Sequence, residues 1–274
     1  MCRVLEVSTS GYYAWRSRPA SKRAREDAVL LRRIRTIHAA SRETYGVPRV
    51  YKEFVENNES VGRDRIARLM RRACLRGVSP RRFVTTTRRN EATRPAPDLV
   101  ERRFRAERPN QLWVADITYV PTWAGFLYLA MVLDVFSRKV VGWAISESLA
   151  TPLVADALRR AIEARRPVGS GLLHHSDRGC QYTSDAYQKT LRTLGIECSM
   201  SRRGECYDNA VAERFFWSLK HEWTKHDSFA DLEAARLSVF KYVETFYNSV
   251  RLHQSLGYKS PDKFETEYAP VLAA

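Results

Sequence analysis

Three carboxylates draw attention by type and spacing: Asp116, Asp177 and Glu213. Asp116 sits in Q-L-W-V-A-D-I-T-Y-V at 111–120, where Trp113, Ala115, Ile117 and Tyr119 alternate with Val114, Asp116, Thr118 and Val120. That alternation predicts a strand. A carboxylate inside so apolar a strand is costly unless a cation or several donors meet it. Asp177 follows the apolar run at 171–175, in Ser176-Asp177-Arg178-Gly179. This is a loop past a strand's carboxyl end, where sites in α/β sheets gather. Thirty-five residues separate Asp177 from Glu213, which lies on the helical stretch S-R-R-G-E-C-Y-D-N-A-V-A-E-R-F-F-W-S-L-K-H-E at 201–222. Asn209, Glu213, Trp217 and Lys220 line one stripe of that helix, and Ala212, Phe215, Phe216 and Leu219 supply a separate apolar face. Asp208 is the expected N-cap. Alone, Glu213 and Lys220 would be an ordinary surface pair. Brought together with two strand-borne aspartates, Glu213 completes an all-oxygen site suited to Mg²⁺ or Mn²⁺. With a phosphodiester as substrate, such a set suits a two-metal displacement.

The elements that must position these residues occupy only part of the 274-residue chain. Residues 1–110 carry 27 Lys+Arg against 12 Asp+Glu, whereas residues 111–274 carry 19 of each. The whole net charge of +15 therefore lies in the first two fifths, the pattern of a nucleic-acid-binding part joined to a part with another job. No run of eighteen apolar residues predicts a membrane span and no apolar leader opens the chain, so a cytoplasmic protein is expected. Five cysteines with no C-x-x-C pair argue against a disulfide framework and against a cysteine-based zinc site.

Residues 1–20, with Tyr12, Tyr13 and Trp15, read as a docking segment. Residues 21–80 read as a helix-turn-helix domain: a helix from about Lys22, a turn at Tyr45-Gly46-Val47-Pro48, a second helix, and a third over Arg63 to Arg76. Ile66, Leu69, Met70 and Ala73 face inward on that third helix, with Arg63, Arg65, Arg68, Arg71 and Arg72 outward as candidate DNA contacts. Arginine clusters with Pro95 and Pro97 make 81–108 a basic linker. From 109 to 268 the order is three strands, helix, strand, helix, strand, helix. That is a mixed α/β layer with a closing helical segment, in which Tyr247, Asn248, Arg251 and His253 hold the end of the chain to the core. Arg178, Gln181 and Tyr182 are candidates for DNA contact at the rim of the site. Asp134 reads as a strand-end polar residue, and His174 and His175 lack the spacing of metal ligands.

Stretches along nearly the whole chain carry a resemblance. They are C-R-V-L-E-V-S-T-S-G-Y-Y-A-W near the start, Tyr45-Gly46 through Arg49, P-N-Q-L-W-V-A-D-I-T-Y at 109–119, H-H-S-D-R-G-C-Q-Y at 174–182, the segment 201–222, and Y-N-S-V-R-L-H-Q-S-L-G-Y-K-S-P at 247–261. Together with the carboxylate spacing and Lys220 seven residues after Glu213, they resemble the retroviral-integrase-like transposases of bacterial insertion sequences, of the type encoded by a second reading frame (OrfB). Val47-Pro48 departs from the more basic or polar pair that family places after Tyr-Gly. The resemblance implies a ribonuclease-H-like five-stranded α/β sheet behind a small all-α domain. It implies Asp116, Asp177 and Glu213 as catalytic metal ligands for two Mg²⁺ or Mn²⁺ ions, with Lys220 and Asn209 on the face presented to DNA. The implied reaction is 3′-end cleavage and strand transfer without a covalent protein–DNA intermediate. Implied partners are double-stranded DNA at the element ends and target, further copies of the chain on that DNA, and fusion to an upstream-frame product. The implied setting is a cytoplasmic, nucleoid-associated one. A nuclease or resolvase on the same fold, and a non-catalytic DNA-binding regulator, are the alternative readings.

Overall fold

The computed structural model describes residues 2, 6–78, 96–167, 171–202 and 209–272. The chain divides into two compact units, Met1–Val78 and Ser79–Ala274.

The first unit is helical. Helix α1 (Thr9–Ser17), capped by the Ser8 hydroxyl, buries none of its residues. Helix α2 (Lys22–Ala40) buries Leu30, Ile34 and His38. Helix α3 (Val47–Glu56) starts with Pro48 in its first turn, where a missing N–H costs nothing, and buries Val50 and Phe54. Helix α4 (Arg63–Arg72) packs Ile66, Leu69 and Met70 inward as its periodicity predicts. Two of its arginines depart from expectation. Asp27 of α2 is buried, and its carboxylate accepts from Arg65 Nε and Arg68 Nη2, each at 2.7 Å. These bonds, from Arg68 and then Arg65, hold the Asp27 carboxyl below its ordinary range. Arg65 is therefore turned back onto α2, and Arg68 is shared between Asp27 and solvent. Arg63, Arg71 and Arg72 are exposed.

The second unit is built on a five-stranded sheet of order β3-β2-β1-β4-β5. The three predicted strands, β1 (Leu112–Thr122), β2 (Gly125–Asp134) and β3 (Val140–Ser146), form an antiparallel meander, with Trp113 opposite Asp134 and Thr122 opposite Gly125. Helix α5 (Thr151–Arg165) leads to β4 (Leu173–Ser176), and helix α6 (Asp185–Thr193) to β5 (Glu197–Met200); β4 is parallel to both β1 and β5. The period of two along β1 divides the core. Leu112, Val114 and Val120 face Phe215, Phe216 and Leu219 on one side, and Trp113 and Ala115 face Leu153, Ala157 and Leu158 of α5 on the other. Pro121 does not end β1, although a turn there is the simpler expectation. It shares the parity of Ala115, whose backbone points away from β2, and no strand pairs with β1 on that edge beyond Val114. A residue without an N–H is tolerated there.

The linker expected over 81–108 lies outside the described residues as far as 95. From 96 the chain is laid on the sheet: Leu99 N donates to Ser199 Oγ, Met200 N donates to the Pro97 carbonyl, and Val100 is buried in the core. The helix predicted as one over 208–222 is α7 (Ala210–Ser218) followed by a π-helical turn, Leu219–Trp223; Asp208 falls outside the described residues. Helix α8 (Leu232–Phe240), a second π turn (Lys241–Tyr247) and helix α9 (Pro261–Leu272) close the chain. Asp134 ends β2 as a structural group, accepting from the backbone of Asn110 and Phe136; burial pushes its carboxyl up to about 6.

The contact between β3 and α5 leaves no room for a side chain at Gly142. A Cβ there would stand 2.3 Å from the Ala157 carbonyl oxygen and 2.5 Å from the Ala161 nitrogen. Gly142→Ala is expected to cost roughly 1–3 kcal/mol by forcing helix and strand apart. Urea unfolding of the two proteins side by side measures it.

Candidate active site

Asp116 lies midway along β1, partly buried, with its Oδ1 accepting from Ile117 N at 2.8 Å. Burial, then repulsion from Asp177, then the weaker field of Glu213, pushes its carboxyl well above the usual range, and Lys220 opposes them. Asp177 and Glu213, the other two carboxylates predicted from spacing, thus both act on Asp116 through space.

Each is held by a different device. Asp177 follows β4 directly, and its Oδ1 accepts from Gly179 N at 2.9 Å. A side chain at Gly179 would press within 3.0 Å of that oxygen, which explains the small residue. Glu213 stands in the first turn of α7, where the helix dipole favours a carboxylate, and burial raises its proton affinity. Asn209 fixes where that helix begins. Its Nδ2 donates to the Ala115 carbonyl at 3.2 Å, on the edge of β1 that β4 leaves unpaired. Its Oδ1 is buried without a partner among the described residues.

Lys220, on the π turn, brings its Nζ to 4.9 Å from the centre of the Tyr119 ring and lies within the field of Asp116. Burial lowers its pKa and Asp116 raises it. Trp217, the remaining member of the predicted stripe, is buried and stacks on His221, so the stripe is not a uniform surface.

Other candidates sort themselves by contact. Arg178 Nε donates to the Ser201 carbonyl at 2.6 Å, tying the Asp177 loop to the end of β5. Gln181 Nε2 reaches the Leu149 carbonyl. His174 and His175 lie beneath the site, bonded to Tyr187 and Ser199; burial pushes His174 down to about 4. Among the DNA candidates of the first unit, Arg63 and Arg72 are exposed, while Arg65 and Arg68 carry the ion pairs with Asp27.

Among the described residues, no three of His, Cys, Asp and Glu are gathered closely enough to form a finished metal cage. The donor set still suits a hard cation: carboxylates only, one of them buried against the repulsion of the others. Tyr182, expected as a DNA contact at the rim, is instead fully buried; its hydroxyl has no partner among the described residues and lies in the field of Asp116 and Asp177. Sequence reasoning placed Arg251 against the core but missed its partner. Glu222 is buried and accepts from Arg251 Nε at 2.5 Å and Nη2 at 2.7 Å, and the same Nη2 donates to Ser218 Oγ. Periodicity cannot reveal a pair twenty-nine positions apart. An arginine in a run of aromatic core residues was the available signal.

Comparison with known proteins follows the same division. A family model described as HTH-like domain matches residues 24–83, and two described as integrase core domain match residues 106–206 and 194–261. The chain is 42% identical over 273 residues to a protein of Shigella sonnei named insertion element IS600 uncharacterized 31 kDa protein, with all of both chains covered. It is 39% identical to the transposase for insertion sequence element IS904 of Lactococcus lactis, covering 90% of this chain and 98% of that one. It is 38% identical to the transposase InsF for insertion sequence IS3A of Escherichia coli, covering 97% and 93%. A five-stranded mixed sheet flanked by helices, preceded by an HTH-like unit and matched along its whole length by such relatives, places the chain in the IS3 family of insertion-sequence transposases, polynucleotidyl transferases with a ribonuclease-H-like integrase core.

Proposed function

We propose that this transposase cuts the 3′ ends of its insertion element and joins them to target DNA with Asp116, Asp177 and Glu213 as its catalytic carboxylates. The observation that carries the reading is Asp116, partly buried on a strand where two further carboxylates repel it, an arrangement that calls for a cation. Asp116, Asp177 and Glu213 would hold two Mg²⁺ or Mn²⁺ ions. When bound, such ions activate the attacking oxygen and stabilise the leaving one in an in-line phosphodiester displacement.

The chain's own residues do the rest. Lys220 sets an ammonium beside the carboxylates and so binds the scissile strand through its phosphate. Asn209 keeps Glu213 in register with Asp116 by its bond to the Ala115 carbonyl. Arg178 braces the Asp177 loop and stands at the rim of the DNA path. In the first unit, Arg63 and Arg72 contact duplex phosphates; Arg65 and Arg68, clamped by Asp27, present that helix at a fixed angle and reach DNA only with the nitrogens that Asp27 leaves. The substrate is double-stranded DNA at the element ends and at the target, engaged by several copies of the chain, with a fused upstream-frame product contributing to end recognition. Its place is then the cytoplasmic nucleoid.

Replacing Glu213 with Gln keeps the shape of the side chain and removes its charge. Strand transfer in Mg²⁺ is expected to fall at least ~10²-fold while the circular dichroism spectrum is retained. Gel analysis for joined products distinguishes transfer from simple nicking. A folded Glu213→Gln protein that still joins strands would sink the assignment.

A pH dependence follows from Asp116. Its folded carboxyl holds a proton more tightly than in the unfolded chain, so without metal its contribution to stability is largest in acid. That contribution is lost as pH rises above about 4, the ordinary carboxylate range. Asp116→Asn removes the effect, so in EDTA the variant should out-melt the wild type by more above neutrality than in mild acid. Equal differences at both pH values would contradict it.

A further inference from the structure

The tip of the β1–β2 hairpin exposes three large aromatic side chains: Tyr119 at 51%, Phe126 at 52% and Trp123 at 83%. Isolated exposed aromatics are common, but two rings in contact and a third at the turn of the same hairpin ask for a ligand. This patch is rigid. Trp123, the most exposed, is tethered twice, its indole Nε1 donating to Ser228 Oγ at 2.8 Å and its backbone N to the Phe229 carbonyl at 3.0 Å. Tyr119 and Phe126 meet edge to face at 5.1 Å between centroids. Register in the hairpin explains the pairing: Tyr119 and Pro121 share one face of β1, and Phe126 lies opposite Pro121. The patch also joins the carboxylate site. Tyr119 is three residues beyond Asp116, about 10 Å along the strand. Lys220, which feels Asp116, sits over the Tyr119 ring.

Flat π faces with an ammonium at their inner end, beside a site for phosphodiesters, match one ligand class. A paired duplex hides its base faces in the stack and shows only edges and backbone, whereas an unpaired base offers a face to an aromatic ring and a phosphate to a cation. We propose that Tyr119, Phe126 and Trp123 form a stacking ledge for unpaired bases of the strand whose phosphate lies at the carboxylates. The ledge rests on the proposed catalytic reading for its neighbour but not for its own chemistry. It holds a frayed DNA end open: pairing energy is exchanged for stacking on protein, and the reacting strand is separated from its complement. Residues 111–274 carry no net charge, so Lys220 supplies the local attraction.

The test uses the full chain in EDTA, where no chemistry occurs, with fluorescence anisotropy on two probes. One is a blunt duplex; the other is the same duplex with a short unpaired oligothymidine tail at its 3′ end. The wild type should prefer the tailed probe. Trp123→Ala and Phe126→Ala should each weaken binding to the tailed probe about tenfold, and to the blunt probe by about twofold or less. Trp123→Phe, which keeps a π face, should retain most of the preference. Equal losses on both probes, or tail preference surviving in both alanine variants, overturns the ledge. So does a change of oligomeric state by light scattering with tail preference intact, which makes the patch a contact between copies of the chain. Glu213→Gln in the same assay separates the two proposals: it should keep the tail preference, so a failed carboxylate assignment leaves this result standing.

Discussion

The fold of the second unit is organised around an acidic side chain that a strand of this composition would ordinarily exclude. Asp116 has apolar neighbours on both sides in sequence and carboxylates facing it in space. Burying such a group is unfavourable by several kcal/mol unless charge or hydrogen bonds compensate. The surrounding elements supply a partial answer: one backbone N–H from Ile117, an ammonium from Lys220, and the positive end of α7 close by. The compensation is incomplete, and the Asp116 carboxyl stays well above its ordinary range. A well-satisfied Asp116 would make a steadier protein and a poorer site.

The helix that carries Glu213 and Lys220 depends in turn on the end of the chain. Arg251 reaches back to Glu222 with two bonds and to Ser218 with a third, all in a buried setting. Such a pair contributes little net stability over an apolar replacement, but it is strict about geometry, because an unpaired partner left behind is costly. It lies where α7 widens into a π turn, the turn that bears Lys220. Widened turns of this kind concentrate at functional positions. The closing segment 247–261 therefore serves the site from outside it: Asn248 bonds both the N–H and the carbonyl of Val140 at the start of β3, and Arg251 fixes the helix above.

Much of this was legible in the sequence, for identifiable reasons. Alternation marked β1, and the spacing singled out Asp177 and Glu213, whose fields both reach Asp116. Local signals failed where long-range contacts took over. Arg65 and Arg68 had the periodicity of an outward face, yet Asp27, thirty-eight and forty-one positions earlier, draws them in. The 96–108 stretch looked like a linker because clustered arginines and Pro97 hide any apolar period, but Val100 and Phe104 suffice to lay it on the core. Alternation likewise grouped Tyr119 with Trp113 and Ala115 on one face; near the hairpin tip that face is left uncovered. The break at Leu219 leaves no trace in helix propensity, since it comes with a buried arginine far along the chain.

The shortness of β4 has a consequence of its own. The strand pairs with β1 only as far as Val114, and among the described residues no strand continues the pairing on that side of β1. Exposed edges invite a foreign strand. Here a helix start meets that edge instead, through Asn209 and the Ala115 carbonyl, and Asp177 follows directly on the last residue of β4. The candidate site thus lies where the sheet stops pairing with itself. Two more residues of β4 in register would fill the gap with hydrogen bonds and leave the carboxylates nowhere to meet.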